Sequence, residues 1–136
     1  MRAAELGLAL AFGCLAAPAA ADESWTPFAE TEVVHIVTQD DGGAERDTKV
    51  WLVVVDGAAF VRTNDSRWLA NIRRGSAVAL KLDSTPRAVT ALEESDAATR
   101  ERVEAAFLAK YGLRQRVLSA LRMREPSVLR LTPRAP

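Results

Sequence analysis

Six consecutive residues, Val50-Trp51-Leu52-Val53-Val54-Val55, contain no polar position and are closed by Asp56-Gly57. A strand with one face in water alternates polar and apolar residues, so a run without alternation predicts a strand covered on both faces, as at the centre of a barrel. Asp-Gly is the strongest short hairpin signal and returns the chain into a further strand, Ala59 to Thr63. A strand over Glu32–Gln39, rich in β-branched residues, precedes the run after a loose lead through Trp25 and Pro27, with Asp40-Asp41-Gly42-Gly43 as the turn into a strand over Thr48–Val55.

Further along, Asn64-Asp65-Ser66 turns the chain and caps a short helix over Arg67–Arg74, which Gly75 ends. Strands over Ala77–Leu82 and Arg87–Leu92 flank the turn Asp83-Ser84-Thr85-Pro86. Ser95 or Asp96 caps a helix in which Val103, Ala106, Phe107 and Lys110/Tyr111 recur at helical spacing, and Gly112 closes it. A second amphipathic helix, Arg114 to Met123, turns Val117, Leu118 and Leu121 inward. Pro126 ends it, and Ser127–Leu131 forms the last strand. The expectation is an α+β fold: a split β-barrel of about six mostly antiparallel strands, with a short helix after strand three and two C-terminal helices before the last strand.

The start of the chain carries a different signal. Arg2, an apolar run from Leu6 to Ala17, then Pro18 and Ala19-Ala20-Ala21 before Asp22 follow the order of a secretory signal with an A-x-A cleavage site. Residues 1–21 are therefore expected to be removed and residues 22–136 to form one exported domain, located in the bacterial periplasm. Cys14 is the only cysteine, and the bulky Phe12 argues against the alternative in which it is acylated. The apolar run is too short to cross a bilayer, which takes about 20 residues, so an integral membrane protein is not expected.

The inventory excludes several chemistries. The chain has a single histidine, His35, placed mid-strand with Val33 and Val37, so a satisfied barrel histidine is the plainer reading and no metal site is expected. Asp40 and Asp41 are explained by turn propensity, and Glu93 and Glu94 by their place ahead of a helix. Net charge is zero, yet acids dominate from Asp22 to Asp96 and bases from Arg100 onward. That basic set suits a solvated helix face, and export argues against a nucleic-acid partner.

One segment says more. The stretch Phe60-Val61-Arg62-Thr63-Asn64-Asp65-Ser66-Arg67-Trp68 gathers hydroxyls, a guanidinium and helix-start N–H groups at one point, a combination able to hold a phosphate. It resembles the pyridoxamine phosphate oxidase-like split-barrel superfamily, in which a strand ending in Tyr-Thr-Asn and a helix opening with Ser-x-Lys bind the flavin phosphate. Trp68-Leu69-Ala70-Asn71-Ile72, with Ala77-Val78-Ala79-Leu80 after it, is similar to the small deazaflavin-dependent nitroreductase branch. The resemblance implies phosphate or ribityl contacts for Thr63, Asn64, Ser66 and Arg67. It also implies Lys49 in place of one member of a basic pair, and a cofactor ring packed on Trp51 or Trp68.

The ligand so implied is FMN or a deazaflavin at a homodimer interface, in an oxidoreductase whose catalytic residues the sequence does not name. An exported chain that binds no cofactor is equally compatible with the residues. In that alternative the barrel is a non-catalytic periplasmic domain that holds another small molecule or docks on a protein partner.

Overall fold

The computed structural model describes residues 25–122 and 126–134, with only the backbone for residues 113–122. The expected signal, residues 1–21, and the inward set Val117, Leu118 and Leu121 lie outside what is described. Among the described residues there are seven strands: β1 (Val34–Gln39), β2 (Glu45–Val50), β3 (Leu52–Val55), β4 (Ala58–Thr63), β5 (Val78–Lys81), β6 (Pro86–Glu93) and β7 (Ser127–Pro133). The helices among the described residues are α1 (residues 25–29), α2 (Arg67–Arg73) and α3 (Ala97–Arg122).

All pairings are antiparallel, and the sheet order is β2-β1-β5-β6-β7-β4-β3. The outermost strands, β2 and β3, are consecutive in the chain and separated by Trp51 alone. Two residues span at most about 7 Å, so the two ends of the sheet must meet at this corner, and the sheet curls into a split barrel. The expected strand Thr48–Val55 is thus two strands. Up to Val50 it pairs with β1, from Leu52 it pairs with β4, and Trp51 is where it changes partner. Six strands become seven because this one is counted on each side of its bend.

Side chains of alternate residues fill the barrel: Val34 and Ile36 from β1, Leu52 from β3, Leu80 from β5, and Leu129 and Leu131 from β7. α1 contributes Trp25 and Phe28 to the same core, where the Arg87 guanidinium lies 5.1 Å from the Phe28 ring. The expected loose lead is therefore a helical plug, because two large rings three residues apart fall on one face of a single turn.

The opposite face of β3, β4 and β7 presents Val53, Phe60 and Val128 to α3, which answers with Val103, Phe107 and Tyr111. The apolar run is covered on both faces as its composition requires, by the barrel interior and by α3. Gly112 breaks α3 with φ 63 and ψ −138, conforming to the expected end of the first of two helices. In the β3–β4 hairpin Asp56 and Gly57 both have positive φ, 52 and 79, as the favoured two-residue hairpin turn demands.

The bend at Trp51 leaves main-chain groups without ladder partners, and α3 supplies them. The Leu52 N–H donates to the Tyr111 hydroxyl at 3.1 Å, which in turn donates to the Glu32 carbonyl at 2.8 Å. Lys110 Nζ donates to the Leu52 carbonyl at 2.7 Å, and its half-buried position lowers its pKa by desolvation. Trp51 stacks on Tyr111 with centroids 4.1 Å apart.

Candidate functional site

β4 ends at Thr63, and the chain turns through Asn64 and Asp65 into α2. Ser66 is the N-cap, with extended backbone (φ −151, ψ 161), and its Oγ accepts the Leu69 N–H at 3.3 Å. Capping occupies one lone pair of that hydroxyl, so its O–H remains able to donate. Trp68 and Leu69 turn into the barrel core. The outward side of the helix forms a cleft of about 490 Å³ lined by Asp65, Ser66, Leu69, Ala70, Arg73 and Arg74, a volume within the usual range for small-molecule sites.

The expected site residues separate on this frame. Thr63, Asn64 and Ser66 stay together at the corner, and Ser66 lines the cleft. Arg67 is exposed in the first turn of α2. Trp68, at 4% exposure, packs in the barrel core. Lys49 is exposed on β2, opposite His35 of β1, on a different element from the corner. Trp51 is committed to its stack on Tyr111.

Two groups were not anticipated as site residues. Arg73 and Arg74 follow Ser66 and Ala70 at helical spacing, which puts them on one side of α2; that spacing was the available signal. The Arg73 guanidinium holds Glu93 through two bonds of 2.8 and 2.7 Å. Arg74 donates to Asn71 Oδ1 at 3.1 Å and to the Gln39 carbonyl at 2.9 Å. A guanidinium has five N–H groups, so both retain donors for an anion, although the Asp65 carboxylate on the same wall opposes one.

Beneath the cleft a polar lattice ties α2 to β1. Asn71, buried at 3%, donates to Thr38 Oγ1 at 3.0 Å and to Asp40 Oδ1 at 2.9 Å. Asp40 also takes a two-pronged bond from Arg46 at 2.7 and 3.1 Å. Those bonds, Arg46 first and Asn71 second, hold the Asp40 carboxyl down from 3.8 to about 2. A lowered carboxyl stabilises the fold fully above its ordinary value, and that contribution disappears as pH falls towards the folded value. Asp40→Asn is therefore expected to shallow the acid limb of stability between pH 3.8 and about 2, as followed by urea melts at stepped pH. Asp47, Glu93 and Asp96 are lowered as well, so the limb should shrink without vanishing, and an unaltered limb would refute the assignment.

One atom at the corner is unexplained by protein contacts. Asn64 Oδ1 is buried and accepts no hydrogen bond among the described residues. A buried acceptor without a donor costs about 1–3 kcal/mol, and its neighbours Asp65 and Ser66 line the cleft. Among the described residues, no group of three His, Cys, Asp or Glu side chains could hold a metal ion, and no helix is long and apolar enough to cross a membrane.

The curled antiparallel sheet, the capping helix α2 and the corner cleft define an α+β split-barrel protein. Residues 26–131 match the family described as "Uncharacterized protein conserved in bacteria (DUF2255)", and the chain belongs to that family.

Solved structures share the fold. HutZ, the haem storage protein from Vibrio cholerae, superposes with a TM-score of 0.62 at 17% identity, covering 84% of this chain and 90% of that one. A Clostridium acetobutylicum protein of the pyridoxine phosphate oxidase family, related to general stress protein 26, gives 0.56 at 16% identity and 85% and 84% coverage. A FAD-binding protein from Mesorhizobium loti gives 0.56 at 11% identity and 83% and 87% coverage. Such identities establish the fold alone. These structures share the split-barrel fold expected from the sequence, and the nitroreductase branch is not shown. Comparison with curated proteins finds no match.

Proposed function

We propose that this chain is an exported split-barrel protein that binds a flavin-type nucleotide, FMN or a deazaflavin, in the cleft on the outer side of α2, beside the turn that follows β4. The observation that carries the reading is the orphaned Oδ1 of Asn64. A bare acceptor calls for a ligand that donates, and the hydroxyls of a ribityl chain do so whereas a phosphate dianion does not. The neighbouring Ser66 hydroxyl and the spare N–H groups of Arg73 and Arg74 suit the phosphate instead, with Arg67 adding positive field. Thr63 would sit beside the hydroxyl chain.

A bound flavin would supply the electron transfer; this chain's residues bind and orient it. The cleft is open on its outer side, which a second copy of the chain would cover. Export in an unfolded state means that the ligand is taken up after folding outside the cytoplasm.

Titration of the mature chain with FMN, read by quenching of flavin fluorescence, is expected to saturate with a Kd of about 1 μM, or about 8 kcal/mol. Asn64→Ala and Arg73→Ala should each weaken binding about tenfold, since a bond to a charged or buried partner contributes about 1.5–3 kcal/mol. Absence of saturation with both FMN and deazaflavin would instead favour the non-catalytic interaction reading. Saturation with an unchanged Kd in both variants would move the ligand elsewhere on the barrel.

A further inference from the structure

The corner cleft holds a carboxylate on the wall that is to meet a phosphate. Asp65 lines it together with Ser66, Arg73 and Arg74, and neither of those cations is unopposed. Arg73 gives two N–H groups to Glu93 of β6, and Arg74 Nε lies 3.7 Å from Asp41, in the turn between β1 and β2. The Arg73 guanidinium is held above its ordinary value by its bonds to Glu93 and, more weakly, by the Asp65 charge. Asp65 therefore acts on a guanidinium that is to bind the ligand. Arg67, exposed on the first turn of α2, is a third cation of this helix, and Asp40 and Arg46 beneath the cleft are bonded to each other. The cations Arg67, Arg73 and Arg74 are thus matched by the carboxylates Asp41, Asp65 and Glu93.

That balance bears on the charge of the ligand. The second ionisation of a phosphate monoester lies at about pH 6, so at neutral pH it is a dianion whose oxygens only accept hydrogen bonds. A carboxylate also only accepts, and the two repel. A singly protonated phosphate removes the conflict. Its P–O–H donates to Asp65, and its other oxygens accept from the Ser66 hydroxyl and the spare N–H groups of Arg73 and Arg74.

We infer, on the flavin reading given above, that Asp65 is a specificity-determining residue of the cleft, which selects the ligand's phosphate as the monoanion with its P–O–H donating to the Asp65 carboxylate. Above about pH 6 the ligand then takes one proton from solvent as it binds, and no covalent bond to the protein forms. The same contact discriminates against a sulfate ester, which carries a single negative charge but no proton to donate.

The test is titration of the mature chain with FMN and with riboflavin 5′-sulfate between about pH 5.5 and 8, by flavin fluorescence and by calorimetry in two buffers of different ionisation enthalpy. The Kd for FMN is expected to rise about tenfold from pH 7 to pH 8, with about one proton taken up per ligand. At pH 6 the sulfate ester should bind at least tenfold more weakly than FMN. Asp65→Asn, whose amide can donate to a dianion, should lose the pH slope, bind FMN at pH 8 about tenfold more tightly than the unaltered chain, and accept the sulfate ester. Titrations elsewhere in the chain persist in the variant and cancel in the comparison. The contrast between the two esters uses the unaltered chain and holds whatever the substitution does to folding. FMN bound with a flat Kd and no proton uptake, or both esters bound equally well, overturns the role of Asp65 and leaves the flavin site standing. FMN bound at no pH overturns the flavin reading itself, and this inference with it.

Discussion

Replacing Phe107 by alanine is expected to lower the unfolding free energy by about 3–5 kcal/mol, the largest effect of any single change described here. Phe107 is 0% exposed and packs with Val53, Phe60 and Val128 at the centre of the layer between α3 and the sheet. The Arg62 guanidinium rests 4.3 Å above its ring, itself tied to Glu104 by an ion pair. Truncation therefore leaves a cavity and removes the surface on which a half-buried cation lies. Small domains hold only about 5–15 kcal/mol in all, so urea denaturation should show a much lower midpoint at an unchanged slope. A loss below about 1 kcal/mol would mean that the layer repacks, and that α3 is not the fixed cover described above.

Asn71→Leu is the second. The substitution conserves volume, so packing is not the cause of its expected cost of about 2–3 kcal/mol. That cost comes from Thr38 Oγ1, which loses its donor while its residue stays at 1% exposure, and from Arg74, which loses an acceptor. Asp40 loses the bond from Asn71 that helps hold its carboxyl down, so its carboxyl should rise and acid unfolding should begin at higher pH. Stability and acid midpoint must therefore move together, as read by urea melts at neutral and acid pH. A change in one without the other would break the link between α2 and β1 through this residue.

Much of the architecture was legible in local signals. Asp56-Gly57 announced its hairpin, Ser66 its cap and Gly112 its break, because each acts within a few residues of itself. The partner change at Trp51 was not legible, since nothing in Val50–Val55 distinguishes a residue bonded to β1 from one bonded to β4; only closure of the sheet decides it. Trp25 and Phe28 were passed over because a single helical turn is too short to show a period. Thr63, Asn64 and Ser66 stand together at the corner because they are near neighbours in the chain. Trp68 was assigned to the ligand on resemblance, and burial places it in the core. The His35–Asp47 pair spans twelve positions and exists only through the register of β1 with β2, which sequence spacing does not reveal.

The bend at Trp51 has a bearing on self-association. An open sheet exposes two rows of unpaired amides that can recruit strands from other molecules, but here both borders meet at one residue. At that corner the Leu52 amide and carbonyl are already taken by Tyr111 and Lys110. β2 and β3 are not bonded to each other, so scission of the backbone at this point would let the two borders part and present them as a template for fibrous stacking.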